Sequence, residues 1–171
     1  MVLIVEDGSG LANSEAYISV ADADSYFASL GEAAWAAASS TVREQALRRA
    51  ASFLDDRYEG RWRGRKNTAT QALRWPRYGV VTPDALEVAT NSIPEKLRRA
   101  NAVAALLVVQ GVSLFVNETE GEGSLAAERI KVGPIEVDES FAGAKSTAPV
   151  LPEIDALLKD LLKIGTRLGR R

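Results

Sequence analysis

Four stretches of the chain carry apolar residues at helical spacing, and each begins at a helix-start signal and ends at a glycine. The stretches predict helices over residues 19–31, 41–60, 92–111 and 152–165. The second has the clearest start, the capping box Thr41-Val-Arg-Glu44. The third is apolar on almost every side between residues 102 and 109, so we expect it at the centre of the fold.

Between the third and fourth helices the apolar residues alternate with polar ones. Ile130 and Val132 precede Gly133-Pro134, and Ile135 and Val137 follow it, which predicts two short strands joined by a turn. An isolated hairpin is at best marginally stable in water, so we expect these residues to pack against a neighbouring subunit or another protein. The predicted fold class is mainly α, a small bundle of about four helices with a short β-hairpin arm between helices three and four.

The length and composition are those of one folded domain, with 171 residues, 46% of them hydrophobic and 26% charged. Within this single domain, we expect a helical core over about 19–111, a loop and hairpin arm over about 112–145, and a C-terminal helix with a basic tail over about 152–171. The longest apolar run is shorter than the ~20 residues of a membrane span, and the start lacks the basic residues of a secretory signal. A soluble, cytosolic protein without membrane contact is therefore expected.

The chain has no cysteine and no histidine, which removes disulfides, thiolate catalysis, the commonest general base and the commonest transition-metal ligand. Gly8-Ser-Gly10 follows two acids and lacks the spacing of a phosphate-binding loop, so it predicts a turn. Asp55-Asp56 and the acids of 118–122 lack the spacing of a calcium loop and are interpreted as charged surface. We therefore expect no enzymatic activity, no catalytic residue, no cofactor and no metal.

Charge is segregated along the chain, although the net charge is only −2. Residues 1–42 carry a net −6, 43–77 a net +6, 78–144 a net −5 and 145–171 a net +3. One interpretation is a solvated surface with unevenly distributed charge, because interactions between exposed charges usually contribute little to stability. The other is complementary contact between subunits of a closed ring. On that hypothesis a basic group meets an acidic group of the neighbour: Arg61, Arg63, Arg65 and Lys66 against Glu6, Asp7, Asp22 or Asp24.

The most basic segment, residues 57–78, interleaves arginines with aromatic residues. A sequence-tolerant binder of single-stranded nucleic acid uses this combination, with arginine on phosphate and Trp62, Trp75 or Tyr78 stacking on bases. The structural interpretation places the two tryptophans beneath the helices while the arginines pair with acids. We expect Trp62 and Trp75 to be mostly structural.

Several segments together resemble a family of tailed-phage proteins encoded among the head and tail genes. The segments are Ile4–Leu11, Ala16–Asp24, Ala50–Tyr58, Ile93–Leu97 and, most specifically, Thr70-Gln-Ala-Leu-Arg-Trp-Pro-Arg77, with Ile130–Val137 also similar. Members are labelled DnaT-like single-strand DNA-binding proteins, and they resemble the head–tail connector (adaptor) proteins of the phage neck.

The resemblance implies a structural adaptor ring of twelve copies that joins the portal protein to a stopper or tail protein and encloses the DNA channel. Such a protein would be made in the bacterial cytoplasm, reside in the virion, and touch packaged double-stranded DNA non-specifically. The alternative is a single-stranded DNA-binding protein of phage replication. In the adaptor interpretation the C-terminal tail docks on the portal through Gly165, Arg167, Leu168, Arg170 and Arg171.

Overall fold

The protein is mainly helical, as the sequence predicts. The computed structural model describes residues 2–115, 128–132, 135–139 and 151–163. The helices of this part of the chain are α1 (Val20–Leu30), α2 (Ala33–Ala37), α3 (Ser40–Arg57), α4 (Glu95–Val109) and α5 (Pro152–Leu158). The strands are β1 (Arg65–Lys66), β2 (Arg77–Tyr78), β3 (Glu128–Val132) and β4 (Ile135–Glu139), which pair antiparallel as β1 with β2 and β3 with β4. The predicted fold class, including the hairpin, is confirmed.

Helix α4 lies at the centre of the core and packs against α3 and α5. Buried residues run along it from Leu97 to Leu106, as the apolar pattern predicts. Asn101 is fully buried among them, and its side chain accepts a hydrogen bond from the Tyr17 backbone N–H (2.9 Å) and donates one to the Leu47 carbonyl (3.2 Å). A buried amide is tolerated because both of its ends are hydrogen-bonded, and here it ties three parts of the chain together.

Helix α1 has the predicted ends. The Ser19 hydroxyl accepts a hydrogen bond from the Asp22 backbone N–H (3.1 Å), and Gly31 closes the helix at a φ of 74°, which favours glycine. The predicted cap of the next long helix, Thr41, is wrong. Ser39 is the cap of α3, because its backbone is extended and its hydroxyl accepts from the Val42 N–H, which leaves Thr41 inside the first turn.

The predicted starts and ends of the last two helices are also corrected. Helix α4 begins after Pro94, and the hydroxyl of the predicted cap Ser92 donates instead to the Ala89 carbonyl (3.0 Å). Helix α5 ends at Leu158 rather than near residue 165. The residues that follow α5 pair with the chain after α3: the Arg63 N–H donates to the Leu161 carbonyl (3.0 Å), and the Lys163 N–H to the Arg61 carbonyl (2.7 Å). Tertiary pairing therefore replaces the last helical turns.

Two elements are missing from the sequence prediction. Helix α2 is only five residues long and buries Trp35, whose ring lies 4.9 Å from that of Phe27. The β1–β2 ribbon has two residues per strand, too few for a periodic pattern. None of the helices within the described residues combines the length and apolar character that a bilayer span requires.

Contacts sort the chain into two compact units. One consists of Met1–Leu114 and Leu151–Arg171 and holds the helices with the β1–β2 ribbon; the other is Phe115–Val150 and holds β3 and β4. The β3–β4 register places Ile130 opposite Val137 and Val132 opposite Ile135. The predicted domain boundaries, and the packing of this hairpin on a partner, stay predictions.

Candidate nucleic-acid interface

The segment from Arg57 to Tyr78 joins the end of α3 to the β1–β2 ribbon and carries most of the basic residues of the chain's second charge block. The chain reverses at Gly60, and Trp62 then pairs antiparallel with Leu162. At Gly64 the two sides of the ribbon approach so closely that a Cβ would lie 2.3 Å from the Tyr78 carbonyl oxygen. A glycine is therefore required there, and its φ of 64° also favours glycine.

Both tryptophans of this segment belong to the core. Trp62 is 2% exposed and Trp75 is fully buried, and their rings lie 6.1 Å apart at 85°. Tyr58 packs on Trp62 in a similar edge-on arrangement at 5.7 Å. The prediction that these tryptophans are structural is confirmed, so base stacking on either ring is excluded in this fold.

Four of the cationic side chains in the segment bind their own chain. Arg63 donates to the carbonyls of Leu162 and Val81, both at 2.9 Å. Arg77 donates to the carbonyls of Arg63 (2.6 Å), Arg74 (3.2 Å) and Gly64 (2.8 Å), and Lys66 donates to that of Gln71 (3.0 Å). Arg74 forms an ion pair with Glu59. Arg63 and Lys66, predicted as subunit contacts, are therefore engaged in holding the ribbon.

The other cations of this region form what we call the basic surface: Arg57, Arg61, Arg65 and Lys163. The guanidinium groups of Arg57 and Arg61 lie 5.8 Å and 5.3 Å from the centre of the same Tyr58 ring. Lys163 is hydrogen-bonded through its backbone to Arg61, and its ammonium donates to the Gly60 carbonyl (3.1 Å). Within the described part of the chain, none of the ion pairs involves these four residues. Arg61, Arg65 and Lys163 are exposed, whereas Arg57 is half-buried and its guanidinium also contacts the Tyr58 hydroxyl, which donates to Asp155 (2.6 Å).

A buried polar cluster anchors the segment to the helical core. The Tyr17 hydroxyl donates a hydrogen bond to Asp55, whose other carboxylate oxygen accepts from the Arg74 backbone N–H (2.9 Å). The Arg74 N–H also lies 3.0 Å from the Tyr17 hydroxyl. Burial raises the pKa of Asp55 to about 6, although the hydrogen bonds from Tyr17 and Arg74 oppose that shift. The interpretation of Asp55 as charged surface is therefore wrong, whereas Asp56 is exposed as expected.

The position of Asp55 was readable from the helical pattern. On α3, Ala51, Leu54, Asp55 and Tyr58 follow one another at spacings of three, one and three residues, and all four are buried. An aspartate on the apolar stripe of a helix must have a buried partner, which here is Tyr17. The partner itself lies 38 residues away and has no signal in the sequence.

The acids predicted to meet the basic group of a neighbour lie in different environments. Glu6 is fully buried, and its carboxylate accepts hydrogen bonds from the N–H groups of Gly8 (3.1 Å), Gly10 (2.8 Å) and Leu11 (3.0 Å). It also accepts from the Ser14 hydroxyl (2.9 Å). Glu6 is therefore unavailable to another subunit, and its prediction as a surface contact is wrong. The glycine-containing turn is confirmed, and its N–H groups enclose an anion from the same chain.

Two of the other predicted acids, Asp7 and Asp22, are exposed. Asp24 is engaged, since its carboxylate accepts from the Trp35 indole N–H (2.7 Å) and from Arg43 (3.1 Å). These groups line an open groove of about 340 Å³ between α1 and α2, in which Asp24, Trp35 and Arg43 are hydrogen-bonded to one another. Contact of Asp7, Asp22 and Asp24 with a neighbouring subunit stays a prediction. Asp24 already forms an ion pair with Arg43 of its own chain.

Neither a metal site nor the tail-docking site can be assigned from the described residues. No group of three or more carboxylates among these residues could hold a metal ion. The predicted portal-docking residues Gly165, Arg167, Leu168, Arg170 and Arg171 lie outside the described ranges. The described chain ends at Lys163, beside Arg61 on the basic surface.

Comparison with known proteins gives one result. Residues 1–170 match the family described as "Putative DnaT-like ssDNA binding protein". No curated protein matches significantly, and no solved structure does. The family label expected from the sequence segments is thereby confirmed, and the description mentions single-stranded DNA rather than a phage neck.

Proposed function

Because the chain belongs to the DnaT-like ssDNA-binding family, we propose that it binds single-stranded DNA, with the backbone phosphates on the basic surface of Arg57, Arg61, Arg65 and Lys163. The observation that carries the proposal is that Arg61 and Arg65 are exposed and form no ion pair with any described carboxylate, whereas Arg63, Lys66 and Arg77 are half-buried and donate to backbone carbonyls. Cations left unneutralised on a rigid scaffold favour a polyanion, because each phosphate contact releases a condensed counterion.

The rigid scaffold is part of this argument. Arg61 and Lys163 lie on two chain segments that hydrogen-bond to each other, and Arg65 lies on the ribbon that Arg63 and Arg77 hold in place. Side chains on a fixed backbone lose less conformational entropy on binding than those on a mobile loop. The overall net charge of −2 does not oppose the interaction, since local charge density governs phosphate binding.

The test is fluorescence anisotropy of a labelled oligo(dT) titrated with the protein at several salt concentrations. We expect Arg61→Glu and Arg65→Glu each to weaken binding by roughly tenfold and to reduce the slope of log K against log [salt] by about 0.7 or more. The matched control is Arg49→Glu, an exposed α3 arginine that lies two helical turns before Arg57 and outside the basic surface. Equal losses in all three variants, or no binding by the wild type, would contradict the proposal.

The second candidate function is the phage head–tail adaptor. It is favoured by the division of the contacts into two units, because the described strands of the unit Phe115–Val150 form a two-stranded hairpin, which needs a partner surface for stability. On this proposal the protein forms a ring of twelve copies beneath the portal, and the basic surface meets exposed acids such as Asp7 or Asp22 of the next subunit.

The same Arg61→Glu variant separates the two functions. A single-strand binder loses DNA affinity and keeps its oligomeric state, whereas an adaptor loses ring assembly in sedimentation velocity and association with portal-bearing capsids. Arg63 is unsuitable for this test, because its replacement would also break two hydrogen bonds inside the chain.

A further inference from the structure

The β1–β2 ribbon has one face turned to solvent and one turned to the protein. Directly opposed residues of an antiparallel pair share a face, and the register opposes Arg65 to Tyr78 and Lys66 to Arg77. Lys66 and Arg77 are half-buried and donate to backbone carbonyls of their own chain. Arg65 and Tyr78 are both exposed. An aromatic ring and a guanidinium group without an ion-pair partner therefore lie side by side on the outer face.

Tyr78 is the exposed aromatic residue of the basic segment. It is 43% exposed, whereas Trp62 and Trp75 are 2% and 0% exposed and Tyr58 is buried. The Tyr78 ring is therefore accessible to a ligand, whereas the other three rings of the segment are not. Arginine beside an accessible aromatic ring is the pairing used for sequence-tolerant contact with single strands.

We infer that Tyr78 is the base-stacking residue of the proposed single-strand site, with Arg65 beside it on the backbone phosphate. This inference rests on the proposed function, and it explains why the site would prefer single-stranded DNA to a duplex. Phosphate contacts alone do not distinguish single strands from duplexes, but a ring can stack only on a base whose face is free. Tyr78 therefore makes the site selective for unpaired bases.

The backbone on both sides of Tyr78 is fixed by hydrogen bonds and close packing. Gly64 allows the facing strand to approach the Tyr78 carbonyl, and Arg77 donates to the Gly64 carbonyl at 2.8 Å. Val80 is buried two residues later, and its carbonyl accepts from the Val88 N–H (2.9 Å). These contacts hold the backbone before and after Tyr78 in one conformation. Stacking of the ring on a base would therefore cost little backbone conformational entropy.

The experiment compares wild type, Tyr78→Ala and Tyr78→Phe by anisotropy with labelled oligo(dT) and with a duplex of equal length. We expect Tyr78→Ala to weaken single-strand binding by about 5- to 150-fold, the loss that corresponds to stacking on one base. Tyr78→Phe keeps the stacking face and should bind within about twofold of wild type. Neither variant should change duplex affinity or the salt slope, because no phosphate contact is removed. Thermal unfolding checks that both variants are folded.

The outcomes separate this inference from the proposed function. Normal single-strand binding by Tyr78→Ala, with loss in Arg61→Glu, would overturn the role of Tyr78 and leave the basic surface intact. Equal weakening for oligo(dT) and duplex would also overturn it. Val81 and Leu86 are exposed nearby in the chain, so a protein contact is the competing use of this face. Loss of self-association in Tyr78→Ala with unchanged DNA affinity would assign the face to that contact and refute stacking. A wild type that binds neither DNA overturns both proposals.

Discussion

Replacing Tyr17 by Phe tests the buried cluster that anchors the Arg74–Trp75 segment to α3. The change removes one hydroxyl and leaves the ring in the core, where Tyr17 is fully buried. Asp55 then keeps the hydrogen bond from the Arg74 N–H (2.9 Å) and loses the one from Tyr17. A hydrogen bond to a buried charged group contributes about 1.5–3 kcal/mol, so at pH 8 we expect the free energy of unfolding to fall by about 2–3 kcal/mol.

The loss should depend on pH, with a sign set by Asp55. Burial raises its pKa to about 6 from a usual value near 4, so the folded protein binds this proton more tightly than the unfolded chain does. The contribution of Asp55 to stability is therefore greatest below pH 4 and declines as the pH rises to about 6. The Tyr17 hydrogen bond lowers the pKa of Asp55, so its removal raises that pKa further. The difference between wild type and variant should grow from about 1 kcal/mol at pH 5 to its full value at pH 8.

The measurement is urea unfolding followed by far-ultraviolet circular dichroism at both pH values. Tyr26→Phe is the matched control, because Tyr26 is only partly buried and its hydroxyl has no hydrogen bond among the described residues. We expect the control to change stability by less than about 0.5 kcal/mol. A Tyr17→Phe loss below that value, or one equal at pH 5 and pH 8, would refute the assignment of an ionised Asp55 to this cluster.

Three further predictions address the core, the N-terminal turn and the tail. Trp75→Ala should lower the free energy of unfolding by about 3–5 kcal/mol in urea titrations, because the ring is fully buried, while wild-type tryptophan emission should not be quenched by oligo(dT). Glu6→Gln should lower the free energy of unfolding by about 2–3 kcal/mol, because an amide NH₂ would face backbone N–H groups that now donate hydrogen bonds to the carboxylate. A change below about 0.5 kcal/mol in thermal unfolding would contradict this expectation. Deleting residues 165–171 removes three arginines and should leave a folded protein. The slope of log K against log [salt] for single-strand binding should then be lower by about 2. An unchanged slope, together with lost attachment to portal-bearing capsids, would support the adaptor function.

The helical class of the protein can be predicted from its sequence, because capping residues and apolar spacing are local signals that specify helices. Ser19 and Gly31 give the two ends of α1, and the apolar run of α4 identifies the central helix. The alternation around Gly133-Pro134 likewise specifies β3 and β4. The residue types of the 57–78 segment left two interpretations open, core packing and nucleic-acid binding. Both interpretations fit because arginine and aromatic residues serve in either role.

The accessibility of the basic and aromatic side chains in residues 57–78 could not be predicted from the sequence, because it depends on long-range packing. Trp75 and Tyr78 are three residues apart in one basic segment, and long-range packing buries the first and exposes the second. Arg61 and Arg63 each lie between a glycine and Trp62 in the sequence. Arg63 nevertheless donates hydrogen bonds to the carbonyls of Leu162 and Val81, which the fold brings close to it. Glu6 has the charge of a surface acid, yet four nearby donors hold it inside. The donors around Glu6 lie within eight residues of it, whereas the partners of Arg63 are distant in the chain, and periodicity along the sequence contains no record of such distant contacts.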